Sequence, residues 1–185
     1  MAFYQQCIPD AYAASIFEIP YDTLTAQGIH TLLFDLDNTI ISYDQEVLDD
    51  RHVDLLARLK ETFKIVIISN SGHRRVSKAL APLEPHGIPY VWHAKKPFKS
   101  GFKKALRLVG ATREETLVIG DQMMTDVLGG KRTGLKVLLV GSVKRTSDHA
   151  ITRFNRRLEA RVLKTIKKKE PALYESRLKA YVDSH

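Results

Sequence analysis

Two carboxylates two residues apart follow a short apolar run in the first third of the chain. Asp35 and Asp37 come directly after Leu32-Leu33-Phe34. Carboxylates this close repel each other, and both remain ionised near neutral pH when a divalent cation lies between them. One carboxylate of such a pair can attack phosphorus, and the other can transfer the proton that the leaving group needs. Because Asp-x-Asp also arises in solvated loops, its meaning depends on the polar residues that join it.

Three further groups of polar residues also follow short apolar runs. They are Ser69, Asn70 and Ser71; Lys95 and Lys96; and Asp121 and Asp126. Asp121 offers a further oxygen ligand, and an oxygen-only set with room for water suits Mg2+. The metal and a lysine would hold a phosphate from opposite sides, while Ser69 and amides at a helix start take the remaining phosphoryl oxygens. These residue types together indicate magnesium-dependent phosphoryl transfer.

The middle of the chain alternates short β-branched apolar runs with amphipathic runs, which is typical of a parallel sheet buried on both faces. Five strands are predicted, over Ile29–Leu36, Lys64–Ser69, Ile88–Trp92, Thr116–Gly120 and Leu135–Val140. Helices are predicted over Asp49–Thr62, Gly72–Ala81, Ser100–Val109 and Met124–Arg132. In open parallel sheets, ligands bind at the carboxyl ends of the strands. The sequence therefore predicts an α/β fold that brings all four polar groups to one edge.

Length and composition favour a single domain in a reducing compartment. The chain has 185 residues, enough to bury well over half of its unfolded surface in one core. Its single cysteine, Cys7, cannot form an internal disulfide, and no Cys/His group has the spacing of a zinc site. Neither a signal peptide nor a stretch long enough to cross a bilayer is recognised. The expected location is the cytoplasm, with membrane association as a further option.

The four polar groups resemble the ordered motifs of the haloacid dehalogenase (HAD) superfamily. They read Asp35-x-Asp37-x-Thr39, Ser69 within Ile-Ile-Ser-Asn-Ser, Lys96-Pro97, and Gly120-Asp121-Gln-Met-Met-Thr-Asp126. The Pro-Asp-x-Tyr start and the later Thr-Arg-Phe-Asn-Arg-Arg-Leu-Glu are similar to the YqeG-like branch of subfamily IIIA. That branch resembles the mitochondrial phosphatidylglycerophosphate phosphatases. The resemblance implies a Rossmann-like HAD fold and phosphatase activity.

The resemblance also implies a role for each motif residue. Asp35 is the expected nucleophile that forms an aspartyl-phosphate, and Asp37 is the expected acid and base. Mg2+ is expected on Asp35, Asp121 and the backbone carbonyl of Asp37, with Asp126 supporting the lysine or the metal's outer shell. The residues expected to bind phosphate are Thr39, Ser69, Asn70 and Lys96. An aspartate at the position of Asp37 is typical of phosphatases and mutases, so dehalogenation is disfavoured.

Three alternatives stay open on the sequence alone. The family pattern takes the lysine just before proline, but Lys95 is adjacent to Lys96 and could replace it. A phosphotransferase would use the same aspartyl-phosphate. An RNA- or ribonucleoprotein-binding protein with an idle HAD core would be favoured by the loss of Asp35, Asp37 or Asp121, and all three are present. Phosphomonoester hydrolysis is therefore the favoured function.

The spacing of the motifs leaves no room for a large cap domain. The interval from Thr39 to Ser69 accommodates one loop, one helix and one strand, and the interval from Ser71 to Lys96 one helix and one strand. The site is therefore expected to be open to solvent. An open site suits a phosphate carried by something large, such as the lipid phosphatidylglycerophosphate, a protein or a nucleic acid.

The positive charge is concentrated towards the C-terminus. The formal net charge is +8, and residues 144–169 carry ten Lys/Arg against Asp148 and Glu159, so the rest of the chain is neutral overall. This distribution assigns any basic partner-binding surface to the C-terminal segment. The predicted organisation is a capless core with an N-terminal extension over residues 1–143, and a basic helical segment over 144–185 packed on the same domain.

The C-terminal segment has the periodicity of an amphipathic helix. At 100° per residue, one face carries the apolar stripe Ile151, Phe154, Leu158, Val162 and Ile166. The cations occupy the opposite side, an arrangement that suits an anionic membrane surface as a partner of residues 144–169. The same stripe could instead pack on the body of the protein. Nucleic acid would be attracted by the same charge and is the less favoured partner.

Overall fold

A computed structural model describes residues 2–144 and 150–184, with side chains for residues 2–144 and 157–184. Within these residues, six parallel strands form one sheet in the order β1-β6-β5-β2-β3-β4. The strands are β1 Ala11–Ala13, β2 Thr31–Phe34, β3 Lys64–Ile68, β4 Tyr90–Val91, β5 Thr116–Gly120 and β6 Lys136–Val140. The sheet is therefore the Rossmann-like parallel sheet expected from the alternating pattern.

The sheet has six strands where the sequence predicts five. The extra strand, β1, pairs with β6 from Ala11 opposite Leu138 to Ala13 opposite Val140. Its three residues are too few to show a strand periodicity, so it is recognisable only from its neighbour. The other five strands lie within their predicted ranges.

Helices cover both faces of the sheet. The α-helices are α1 Asp50–Lys60, α2 His73–Leu80, α3 Lys99–Val109, α4 Leu128–Thr133, α5 Ala150–Lys169, α6 Pro171–Arg177 and α7 Lys179–Asp183. The 3-10 helices are Phe3–Cys7, Ile16–Glu18, Tyr21–Thr23, Thr25–Gln27 and Ala81–His86, and Met123–Val127 form a π-helical turn. No helix in the described ranges is both long and apolar enough to cross a bilayer.

Local sequence signals fix the ends of two helices. Asp49 caps α1, since its side chain accepts a hydrogen bond from the His52 backbone N–H. Gly110 ends α3 in the left-handed conformation, with φ of 58°. The predicted helix Met124–Arg132 is present, but its first part is a π-helical turn that continues directly into α4. A π-turn inserts an extra residue that helical periodicity does not reveal.

Successive residues of the strands face opposite core layers. Leu32 and Phe34 of β2 belong to the layer covered by α1 and α2, whereas Leu33 belongs to the layer covered by α3 and α4. All three are completely buried. Burial on both faces explains why the strands read as nearly continuous apolar runs.

The helices α5 to α7 complete the second layer. Val162 and Ile166 of α5 and Tyr181 of α7 are buried in it, and Leu158 packs against it. The described part of the predicted apolar stripe therefore lies against the body of the protein. Ile151 and Phe154 lie outside the described side chains.

No cap domain is inserted between the motifs. A loop, α1 and β3 lie between Thr39 and Ser69, and α2, one 3-10 helix and β4 lie between Ser71 and Lys96. These elements form the sheet and its covering layers. Neither interval contains an additional domain that would cover the carboxyl edge of the sheet.

Candidate active site

The carboxyl ends of β2 and β5 meet in the middle of the sheet, where the strand order reverses. From β2 the chain continues to β3 on one side, and from β5 it continues to β6 on the other. Asp35 and Asp121 are the first residues after these two strands, and the Asp35 backbone N–H donates to the Ile119 carbonyl at 2.8 Å. Two carboxylates therefore lie at the position where open α/β sheets bind their ligands.

The Lys96 ammonium lies between two buried carboxylates. Its Nζ donates to Asp35 Oδ1 at 2.5 Å and to Asp126 Oδ1 at 2.6 Å. The exposed fractions of the three side chains are 2% for Lys96, 7% for Asp35 and 1% for Asp126. Removing the shared ammonium would leave two buried carboxylates without their cation, and such a loss typically costs about 3–5 kcal/mol. The three side chains are therefore energetically dependent on one another.

Asp121 joins these carboxylates in one buried cluster. Asp35, Asp121 and Asp126 each offer an oxygen, and these oxygens all lie within 4.8 Å of one another. The donor set contains only carboxylate oxygens, which are the ligands of hard divalent cations. The residues present therefore fit a site for such a cation.

Burial and the neighbouring charges affect the ionisation of Asp35 and of Lys96 differently. Burial raises the pKa of Asp35 well above its usual range; Lys96 opposes this rise, and the carboxylates of Asp126, Asp121 and Asp37 add to it. Burial alone would lower the pKa of Lys96, but the carboxylates of Asp126 and Asp35 outweigh burial and raise it. Lys96 therefore stays charged, whereas ionisation of Asp35 costs free energy in the folded protein.

Thr39 orients Asp35 from the other side. Its Oγ1 donates to Asp35 Oδ2 at 2.8 Å and lies 3.5 Å from Asp121 Oδ1. The preceding Asn38 has a φ of 66°, which turns the chain sharply after the strand. The predicted phosphate-binding threonine thus lies in the same cluster as both carboxylates.

The backbone conformation of the loop after β4 brings Lys96, and not Lys95, into this cluster. The Asn70 side chain holds the Lys96 backbone, accepting from its N–H at 2.7 Å and donating to its carbonyl at 3.1 Å. Lys95 has a φ of 56° and an exposed side chain, whereas Lys96 is buried. Asn70, predicted to bind phosphate, uses its side chain here to position the lysine loop.

Asp126 is directed towards Lys96 by the π-helical turn after β5. Its second oxygen, Oδ2, accepts from the Gln122 N–H at 3.2 Å and from the Thr125 hydroxyl at 3.3 Å. The carboxylate lies so close to Gly120 that a Cβ there would be 2.4 Å from its Cγ. Only glycine fits at position 120, which explains the Gly-Asp pair at the end of the strand.

Asp37 lies in a second, adjacent group of polar side chains. Its Oδ2 accepts hydrogen bonds from Ser69 Oγ at 3.0 Å and Ser71 Oγ at 2.8 Å. Its Oδ1 accepts from Arg75 Nε at 3.1 Å. The carboxylate is partly exposed and held in one direction by three donors. Ser69, predicted to bind phosphate, therefore contacts the predicted acid and base.

Arg75 is a site residue that the sequence analysis did not identify. Besides Asp37, its guanidinium donates to the backbone carbonyls of Gln45 at 2.6 Å and of Ser42 and Glu46 at 3.3 Å. It thereby joins the first turn of α2 to the loop that follows Asp37. Its position just after Ser69-Asn70-Ser71 is a sequence signal, but Arg74 precedes it and the sequence does not distinguish the two.

The C-terminal helices reach the same strand end. The buried Tyr181 hydroxyl donates to Glu159 Oε1 at 2.5 Å and lies 3.4 Å from the backbone carbonyl oxygen of Asp121. Tyr181 of α7 therefore contacts the strand end that carries one of the clustered carboxylates, and Glu159 of α5 accepts the hydrogen bond of this tyrosine.

The sequence is similar to those of known proteins. Residues 93–169 match a family model described as HAD-hydrolase-like. Over 163 residues the chain is 39% identical to the probable phosphatase YqeG of Bacillus subtilis, covering 88% of this chain and 92% of that protein. The chain belongs to the HAD superfamily of hydrolases. Within it the chain is a phosphatase of the YqeG-like branch.

Two further comparisons place this HAD phosphatase among its relatives. It is 27% identical over 167 residues to phosphatidylglycerophosphate phosphatase 1 of Arabidopsis thaliana, covering 86% of this chain. The chain spans about half the length of that protein, 48%. A crystal structure of a haloacid dehalogenase-like hydrolase from Brucella suis superposes with a TM-score of 0.50 at 14% identity, over 73% of this chain and 97% of the other, and confirms the fold.

In metal-free HAD phosphatase, we expect Asp35→Asn to increase the free energy of unfolding at neutral pH. The raised pKa of Asp35 means that the folded protein binds its proton more tightly than the unfolded chain does. In the wild type, the stabilising contribution of Asp35 is fully present below its pKa in the unfolded chain, about 3.9. This contribution is lost as the pH rises through the pKa of Asp35 in the folded protein. The gain in Asp35→Asn should therefore grow with pH, as measured by urea unfolding in chelator.

Asp22→Asn is the matched control for this measurement, because Asp22 is exposed. The same chemical change there should leave the pH dependence of unfolding close to that of the wild type. A stability difference for Asp35→Asn that stays constant with pH, or that is negative at neutral pH, contradicts the expectation.

Proposed function

We propose that this phosphatase hydrolyses phosphomonoesters with Mg2+, through an aspartyl-phosphate on Asp35. The observation that carries the proposal is the position of the Asp35 carboxylate. It lies at the end of the central strand, bonded to Lys96 and Thr39 and beside Asp121. A nucleophile, a fixed cation and further metal-binding carboxylates are thus assembled at one point.

Asp35, Asp121 and the backbone carbonyl of Asp37 would hold the metal. Their all-oxygen chemistry fits Mg2+, which keeps several waters and shares its remaining positions with phosphate. When bound, Mg2+ supplies charge neutralisation to the phosphoryl group and to the carboxylates around it. Asp126 then serves a supporting role, because its carboxylate holds the Lys96 ammonium.

The reaction divides into two displacements at phosphorus. In the first, an oxygen of Asp35 forms a bond to phosphorus, the bond to the ester oxygen breaks, and Asp37 gives that oxygen a proton. In the second, Asp37 removes a proton from water, whose oxygen attacks phosphorus. The bond from phosphorus to the Asp35 oxygen then breaks. The products are the alcohol and inorganic phosphate, and both aspartates return to their starting states.

Four residues are assigned to the phosphoryl oxygens: Thr39, Ser69, Asn70 and Lys96. Lys96 and Thr39 contact the nucleophile, and the Ser69 hydroxyl contacts Asp37. On substrate binding, Lys96, Thr39 and Ser69 would exchange carboxylate partners for the oxygens of the transferring group. The cation of Lys96 stabilises negative charge on that group in the transition state.

The proposed substrate class is a phosphate carried by a lipid, as in phosphatidylglycerophosphate. The lack of an inserted cap leaves room at the edge of the sheet for a headgroup that stays attached to a bilayer. Relatives named as phosphatidylglycerophosphate phosphatases in Arabidopsis thaliana and Chlamydomonas reinhardtii support this choice by similarity.

We further propose that residues 1–143 and 144–185 act as one functional unit. The contacts of Tyr181 with Glu159 and with the Asp121 backbone support this view. Because Val162 and Ile166 are buried, the described part of α5 offers an anionic membrane its cations and no apolar stripe. The exposed cations are Arg157, Arg161, Lys164, Lys167, Lys168 and Lys169.

We expect Asp35→Asn to abolish phosphate release while leaving the protein folded, because an amide cannot act as the nucleophile. Asp37→Asn should lower kcat by about 10²–10⁴-fold, and most for esters with poor leaving groups that need protonation.

Wild-type activity should be lost in chelator and restored by Mg2+. Retention of more than a small fraction of wild-type turnover by Asp35→Asn contradicts the covalent mechanism.

Arg75→Lys should reduce turnover through Asp37. Lysine keeps the charge but cannot contact Asp37 and the loop carbonyls together, so we expect a loss of about 10–100-fold in kcat, typical of residues that orient a site. The loss should be larger for poor leaving groups than for p-nitrophenyl phosphate. Arg74→Lys, at the exposed neighbouring position, is the control. An equal loss for all leaving groups would show that Arg75 does not act through Asp37.

The substrate class is tested by a phosphatase screen that includes soluble phosphate metabolites and phosphatidylglycerophosphate in mixed micelles. We expect kcat/KM to be highest for the lipid, because a capless site offers few contacts to enclose a small metabolite. A soluble ester with higher kcat/KM than the lipid would reject the lipid substrate and leave the phosphatase mechanism intact.

A further inference from the structure

Positive charge is concentrated on one side of the active site. Residues 85–113 contain seven Lys/Arg and no Asp or Glu, although residues 1–143 together carry a net charge of only +1. The segment includes β4, the loop that carries Lys96 and the helix α3. The small net charge of the core thus conceals a basic surface next to the site.

Exposed aromatic side chains accompany these cations. Trp92 is 40% exposed and Phe98 is 67% exposed, and both lie in the loop on either side of Lys96. The Lys104 ammonium lies 5.9 Å from the centre of the Trp92 ring. Trp92, Lys95 and Lys104 also line one shallow cavity. Trp92, Lys95 and Lys104 therefore form a continuous surface.

The helix α3 extends this surface. Its buried side consists of Gly101, Phe102, Ala105 and Leu106. Its exposed side consists of Lys99, Ser100, Lys103, Lys104, Arg107 and Leu108. We call Trp92, Lys95, Phe98, Lys99, Lys103 and Lys104 the aromatic-basic surface.

The aromatic-basic surface is rigidly connected to the lysine of the active site. A Cβ on Gly101 would lie 2.4 Å from the backbone oxygen of Ala94, so α3 packs directly against the loop after β4. The same loop is held through the bonds between Asn70 and the Lys96 backbone. A partner bound to this surface would therefore be fixed in orientation relative to Lys96.

We propose that the aromatic-basic surface docks on an anionic phospholipid bilayer and presents the open site to a phosphate in the headgroup region. The proposal rests on the lipid substrate proposed above. Tryptophan favours the bilayer interface, an exposed phenyl ring gains by entering the acyl boundary, and lysines attract anionic headgroups. Phe98 has no hydrogen-bonding group to offer to a polar partner. Because an exposed phenyl ring can also stack on nucleic-acid bases, the lipid substrate proposed above decides for a bilayer.

The chain contains a built-in reporter for this contact, because Trp92 is its only tryptophan. Full-length protein is titrated with vesicles of phosphatidylcholine alone or mixed with phosphatidylglycerol, and Trp92 fluorescence is recorded. We expect a blue shift with the mixed vesicles at low salt, and quenching by lipids brominated in their acyl chains. Moderate salt should weaken binding, because part of the attraction is electrostatic.

Two triple variants with equal loss of charge distinguish this surface from α5. Lys99→Gln/Lys103→Gln/Lys104→Gln should bind mixed vesicles about 100-fold more weakly, as expected for the loss of three cations at a membrane. Lys164→Gln/Lys167→Gln/Lys168→Gln, on the exposed side of α5, should retain most of the binding. Phe98→Ser should reduce acyl-chain quenching. Hydrolysis of p-nitrophenyl phosphate should be unchanged in all three variants.

Three results would overturn the proposal: no spectral change with mixed vesicles at low salt, equal loss of binding in both triple variants, or a response to oligonucleotides in the absence of one to vesicles. The last result would assign the surface to nucleic acid. If the wild type hydrolyses p-nitrophenyl phosphate but does not bind vesicles, the docking surface is rejected and the phosphatase function is retained. Vesicle binding without turnover of phosphatidylglycerophosphate rejects the lipid substrate alone.

Discussion

The ammonium of Lys96 shared by the carboxylates of Asp35 and Asp126 constrains the rest of the structure. All three groups are buried, and charges at that depth are tolerated only when they are paired with good geometry. The pairing keeps the lysine charged but leaves Asp35 with a raised pKa, because burial and nearby carboxylates oppose its ionisation. The site thus carries an electrostatic cost that a divalent cation on the same carboxylates would relieve.

Each element around this pairing is built to meet its geometry. The central strand ends just before Asp35, and the neighbouring strand ends in Gly120, where any larger residue would displace Asp126. Asn70 holds the backbone of Lys96, so the second polar group along the chain positions the third. The close packing of Gly101 against Ala94 then sets the place of α3. The catalytic edge and its surroundings behave as one packed unit, in which a change at one contact alters the others.

The basic C-terminal segment is part of the same unit. Its helices bury Val162, Ile166 and Tyr181 in the second core layer, and Tyr181 contacts the backbone at Asp121. The apolar side of α5 is thereby used for packing, while its cations remain exposed. A second basic surface, on α3, combines its cations with exposed aromatic rings beside the site. This combination is why we assign bilayer docking to α3 and its preceding loop.

The sequence predicts the central strands because each is a short apolar run. It also predicts that the four polar groups share one edge, because each group directly follows a strand of a parallel sheet. Asp35, Asp37 and Asp121 could be named as candidates in this way. The family pattern takes Lys96, the lysine just before proline, but the exclusion of Lys95 depends on the backbone conformation of the loop, which Asn70 holds from 26 positions away.

Other features were decided only by the tertiary structure. The three residues of β1 become a strand only beside β6, and Arg75 reaches Asp37 only because α2 packs near the loop after the first motif. Periodicity revealed that α5 is amphipathic, but not what its apolar side would face. The sum of charges likewise concealed the basic surface on α3, since acidic residues elsewhere in the core balance it. Patterns along the chain specify which side chains share a face, whereas the packing of distant segments decides which groups those faces meet.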